Sequence, residues 1–263
     1  MTTFVNDYLS QLKEQWEEID LLIEEAEKII DSNTSLYNAL CRSASILLVS
    51  HLEGFIKDMA KSLVQDLNTN LQFNEMPNKV RRTMCQKYLG FDKSISKNYD
   101  SLLNELVLDL SESTDFKLSY EPFLFDKNRN PKPDSIKLVC DRFGLSNIFK
   151  NMHESIFDNV FESDKKLEYL LRRFEVVVGL ATKEFPYRAK INKFSLTPKA
   201  LKGGRTLWES FLDDTNHVRH NIVHGNTFSN QGSVMELKRR VNKIKLFKLV
   251  VTYCLCATVV KAP

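Results

Sequence analysis

Residues 35–67 read SLYNALCRSASILLVSHLEGFIKDMAKSLVQDL. The stretch holds no proline and a single glycine, Gly54, and its centre, Ala44 to Phe55, is apolar nearly all the way round. A helix with apolar residues on every side has to be covered on every side. This one therefore belongs in the middle of a helical core. Ahead of it, Phe4, Tyr8, Leu12, Trp16, Ile19, Ile23, Ala26 and Ile30 recur every three or four residues with acids between them, which predicts one helix over 4–31. Asp31-Ser32-Asn33-Thr34 supplies the stop of the first helix and the cap of the second.

The other end of the chain has the same regularity. After Gly203-Gly204, the residues Leu207, Trp208, Phe211, Leu212, Val218 and Ile222 form a helical stripe that ends at Gly225. Beyond the polar turn 226–233, a last helix is predicted from Val234 to Thr258, with Leu237, Val241, Ile244, Phe247, Val251 and Leu255 facing inward. Between the two ends the pattern is shorter and broken. Helical patterns at 79–90, 99–112, 134–143 and 164–182 are separated by loop signals such as Asn128 to Pro133. Only 8 Gly and 7 Pro occur in 263 residues, too few for a turn-rich sheet fold. The expected architecture is a single all-α domain over 1–263. It has a four-helix up-and-down core within 4–68 and 203–258, and a mostly helical insertion over about 70–200.

Composition narrows the function classes. Hydrophobic residues at 43% and charged ones at 27% are those of a folded globular chain. Five scattered cysteines with no CxxC pair exclude a disulfide framework and a zinc ribbon, and point to a reducing, cytoplasmic setting. The longest apolar run, Leu249 to Val260, is short of the roughly 20 residues of a membrane span, so no membrane partner is expected. No GxxxxGK[ST], GxGxxG or GxSxG pattern occurs, which sets aside P-loop, dinucleotide and α/β-hydrolase chemistry.

The net charge of +3 conceals a gradient. Residues 1–32 carry nine acids and two bases, whereas 185–263 carry fourteen bases and four acids. Acid-free segments at 185–208 and 237–263 supply Lys202, Arg205, Lys238, Arg239 and Lys243 as candidate contacts to a nucleic-acid backbone, because phosphate chains select one-signed surfaces. The same residues are equally suited to balancing the acidic first helix.

Chemistry concentrates in Asp213-Asp214-Thr215-Asn216-His217-Val218-Arg219-His220-Asn221-Ile222-Val223-His224-Gly225. Three of the five histidines of the chain fall in eight residues, beside an arginine. At about 100° per residue His220 and His224 share a face, with His217 on the same side. Gly225 ends the helix and leaves His224 accessible. A metal site is the sharpest alternative, since His220-x3-His224 permits chelation, but no Glu follows His220 to complete HExxH and no carboxylate cluster lies near. Ordinary hydrogen-bonded histidines are the plain alternative.

Arg219-His220-Asn221-Ile222-Val223-His224 resembles the R-x4-6-H signature of the HEPN superfamily, with its polar residue directly after the arginine. Ser43 to Phe55, including Leu52-Glu53-Gly54-Phe55, is similar to the second-helix signature of HEPN proteins from bacterial toxin–antitoxin and phage-defence loci. The resemblance covers residues 4–68 and 203–258. It implies a homodimeric, metal-independent endoribonuclease that needs no cofactor, with two motifs facing each other across the dimer cleft and a toxin or antiphage role, for which a cognate antitoxin or defence-complex partner is the expected companion. On that resemblance Arg219 holds the scissile phosphate and His224 is the general base or acid. His220 and Asn221 position substrate or tune His224. Glu53, on the shoulder of the buried stripe, either orients Arg219 or a histidine, or forms a structural pair with Arg42 or Lys57. A non-catalytic HEPN-like module that binds RNA, a nucleotide or a partner protein is the alternative reading.

Overall fold

The first helix, α1 (Phe4–Ile29), starts at Thr3, whose hydroxyl accepts from the Asn6 amide, and gives way to α2 (Thr34–Asn70) at Asn33, whose side chain caps Leu36. The computed structural model describes residues 2–125, 131–201, 203–225 and 232–260. Lys202 and the predicted loop positions 128–130 and 226–231 lie outside them. Every regular element among the described residues is helical, and the protein is all-α.

The short link between α1 and α2 makes them an antiparallel pair, and Asp66 closes its far end. This carboxylate is buried near the end of α2. It accepts the Phe4 and Val5 amides at 2.9 and 3.0 Å and the Tyr187 hydroxyl at 2.6 Å. Burial raises its pKa, and the three hydrogen bonds oppose that rise.

At the other end of the chain, α8 (Leu207–Val223) runs antiparallel to α9 (Val234–Val259). Trp208 near the start of α8 is stacked on Phe247 well along α9, with ring centroids 5.7 Å apart. α9 lies parallel to α2. The Val234 amide donates to the Tyr37 hydroxyl near the start of both helices, and Lys248 Nζ donates to the His51 carbonyl further along. These four helices form the expected up-and-down core. α2 packs on α1, α8 and α9. That explains why its centre is apolar all round, and why by length and composition it passes as a membrane-crossing helix, with a mean hydropathy of 1.3 over its most apolar window.

The middle segment supplies α3 (Asn78–Leu89), α4 (Tyr99–Glu112), α5 (Pro133–Arg142), α6 (Ile148–Met152) and α7 (Asp164–Thr182). Four of these fall within a residue of the predicted patterns; α6 has no counterpart among them. α7 lies in the stretch read as an insertion, yet it runs along α9 as a fifth core helix. Phe174 meets Tyr253 at 5.4 Å, and Thr182 and Gly179 receive hydrogen bonds from Thr3 and Asn6 of the α1 start. A single hydrophobic cluster runs through both ends of the chain and the segment between them.

Candidate nuclease site at the end of α8

Helix α8 is divided by burial. Its first half is anchored by a capping box between Thr206 and Glu209 and by Trp208, Leu212, Thr215 and Asn216, all buried. Its second half emerges from the core. His217, His220 and His224 are exposed, while Arg219 and Asn221 are half-buried. His224 is the C-cap, its amide still bonded to the His220 carbonyl at 3.0 Å, and Gly225 turns the chain away at φ +71°. A side chain at that φ would be strained, so glycine is what allows the helix to stop directly after the histidine.

Two side-chain pairs, each four residues apart, organise this end. The His220 and His224 rings lie 4.2 Å apart between centroids, tilted by 50°. Asn221 Nδ2 lies 3.0 Å from His217 Nε2; with the amide as donor, the ring accepts at Nε2 and carries its proton on Nδ1. His217 is therefore drawn to Asn221 instead of joining the other two histidines. Among the described residues no cluster of three or more His, Cys, Asp or Glu side chains suits a metal ion.

Beside these pairs a groove of about 540 Å³ opens between α2, α8 and α9. Arg42 comes from α2, Asp214, His217 and Ile222 from α8, and Arg240 and Lys243 from α9. Burial lowers the pKa of Arg240 against the opposing pull of Asp214 and Glu236, and burial likewise lowers that of Lys243. Lys243 rests over the Phe161 ring at 4.6 Å.

Of the residues named from sequence, Arg219, His220, Asn221 and His224 share the α8 end. Glu53 does not join them: its carboxylate is 2.7 Å from Lys57 Nζ, one turn along α2. The candidate backbone contacts are mostly engaged with acids. Arg205 pairs with Asp213, Lys238 lies 3.6 Å from Glu27, and Arg239 reaches Asp164 at 2.7 Å. Lys202 lies outside the described residues. In sequence Arg240 is only one base of an acid-free segment, Arg42 only a possible partner of Glu53, and Asp214 has no role of its own. The signal for Arg240 was present, since it sits three and four positions from the inward-facing Leu237 and Ile244.

An R-x4-H motif on the exposed end of a helix, in a four-helix core with one further helix packed along it, is the setting in which the chain matches RiboL-PSP-HEPN over residues 10–255. The chain belongs to the RiboL-PSP-HEPN family. The match runs through the middle segment as well as the two ends, so α3 to α7 fall within the span of the family. HEPN domains are generally ribonucleases, and membership gives this HEPN protein a nuclease- or RNA-related role. Among curated proteins and among solved structures nothing matches the chain.

Proposed function

We propose that the protein is a metal-independent endoribonuclease that cuts by attack of the ribose 2′-hydroxyl. The observation that carries the reading is the pair of exposed imidazoles, His220 directly after Arg219 and His224 five positions after it, with ring centroids 4.2 Å apart, in a HEPN chain. One imidazole takes the 2′-hydroxyl proton as the 2′-oxygen bonds to phosphorus. The P–O5′ bond breaks, and a protonated imidazole returns a proton to the leaving oxygen. The products carry a 2′,3′-cyclic phosphate and a 5′-hydroxyl. Imidazole suits both roles because it changes protonation near neutral pH. Arg219 offers a permanently charged fork for the phosphorane.

A homodimer brings a second copy of the motif to the same cleft, and the cellular role of such an enzyme is that of a toxin or antiphage effector acting on cytoplasmic RNA. The test is incubation with structured RNA in EDTA, followed by mapping of the ends. Cutting is expected to persist in EDTA with cyclic-phosphate ends, and to fall by roughly 100-fold or more in His224→Ala and Arg219→Ala. Cutting abolished by EDTA, or undiminished in His224→Ala, overturns the mechanism.

A further inference from the structure

The groove between α2, α8 and α9 has features that the cutting chemistry does not use. Its volume of about 540 Å³ is ample for a nucleotide unit. One wall is apolar, from Val218, Ile222 and Leu237, and suits the flat face of a base. Arg240 lines the groove half-buried and makes no hydrogen bond or ion pair among the described residues. Asp214 and Glu236 lend it charge but no hydrogen bond, and a guanidinium drawn partly out of water with its N–H groups unmatched favours an anion that brings its own oxygens. Arg42 and Lys243 add to the positive field around it.

Asp214 lines the same groove, exposed and within electrostatic range of Arg240, a carboxylate able to accept from the amino or imino group of a base. His217 also lines the groove, with its Nε2 engaged by Asn221. Asn221 lies inside the Arg219–His224 motif, so the hydrogen bond joins the groove to the residues assigned to the cut.

We infer that this groove is a nucleotide subsite: it takes the nucleoside monophosphate unit flanking the scissile linkage, with Arg240 on its phosphate and Asp214 reading the edge of its base. The inference rests on the reading of the α8 end as the cutting site for its place along the RNA, although binding in the groove needs no cutting.

The experiment titrates the His224→Ala protein, which leaves RNA intact, with each of the four ribonucleoside 5′-monophosphates and with inorganic phosphate, by calorimetry. At least one nucleotide is expected to bind tenfold or more tighter than phosphate, and Arg240→Met is expected to weaken it at least tenfold, with Arg240→Lys between. Asp214→Asn, at an exposed position with little bearing on folding, is expected to change the ranking of the four nucleotides. In otherwise unaltered protein it should also shift base preference beside the mapped cuts. Equal affinity for nucleotides and phosphate, or a ranking unmoved by Asp214→Asn together with binding unmoved by Arg240→Met, overturns the subsite. Nucleotide binding that depends on Arg240 in a protein that cuts no RNA supports the subsite and refutes the nuclease reading, so the two fail separately.

Discussion

Arg240 and Lys248 lie on the same helix, eight residues apart, and burial lowers the pKa of both. They illustrate different things. Lys248 is almost wholly covered where α9 meets α1 and α2, although it too lines a groove, of about 410 Å³. Its ammonium sits 4.2 Å over the Trp16 ring and 5.3 Å over that of Phe55, and donates to the His51 carbonyl at 2.9 Å. Its needs are met within the fold, by cation–π contact and one hydrogen bond. Arg240 is only half-covered, next to open volume, and feels the charges of Asp214 and Glu236 without a hydrogen bond to either. Desolvation alone marks a charge that folding has tolerated; desolvation beside an empty groove and an unmet hydrogen-bonding group marks a place for a ligand.

The sharpest way to break this contrast is at the open end of α8. His224→Ala should reduce RNA cutting by roughly 100-fold or more while leaving the melting temperature where it was, since the side chain is exposed. Trp208→Ala, in the same helix but in the closed region, should do the reverse. Removing a fully buried indole that packs on Phe161, Phe211 and Phe247 is expected to cost about 3–5 kcal/mol, read by chemical denaturation.

Lys248 gives a third test, through pH. Burial brings its pKa from 10.5 to about 7, with Asp58 pulling the other way. The folded chain thus holds this proton less tightly than the unfolded chain. The contribution of Lys248 to stability should rise as pH climbs from about 7 towards 10.5, and below 7 the whole cost of the buried charge should remain. Lys248→Met should flatten that slope and, at neutral pH, stabilise by about 1 kcal/mol, at the low end for a buried charge replaced by an apolar chain because the His51 carbonyl loses its donor. An unchanged slope in denaturation curves taken across this range would show that the ammonium is not enclosed.

The smallest effect is expected at Gly54. Nothing lies within 4 Å of the place a Cβ would occupy. Gly54→Ala should therefore stabilise the isolated chain by about 0.5–1 kcal/mol through helix propensity alone. Destabilisation that appears only at high protein concentration would place another copy against α2.

Most of the helical framework was legible because its signal is periodic. An apolar residue every three or four positions identified α1, α2, α8 and α9 and put their limits within a few residues of those observed. The same signal located α7 but not its neighbours, since an apolar face says that a helix is covered without saying by what. Only the tertiary contacts of Phe174 and of Thr182 bring it into the core. Five-residue α6 is too short to show a period, and it begins at Asn147 in a left-handed conformation that local sequence signals weakly.

At the site, sequence brought Arg219, His220, Asn221 and His224 to one helix end. It set His217 beside His220, yet the spacing of four that pairs His220 with His224 also pairs His217 with Asn221. For Glu53 the sequence offered Arg42 and Lys57 as partners; on one continuous helix Arg42 is about 16 Å further along, out of reach, and the carboxylate pairs with Lys57 one turn away. The groove could not be read at all, since three separated segments form its walls.

The carboxylate of Asp66 carries a consequence for how the chain breathes. The leading amides of a terminal helix ordinarily exchange with solvent within moments, because the first turn frays. Here Phe4 and Val5 share an acceptor with Tyr187, from segments 62 and 121 positions away from Asp66. Their deuterium uptake should accordingly be slow and should accelerate together in Asp66→Asn, so that the outermost turn reports on whether distant parts of the bundle are clasped.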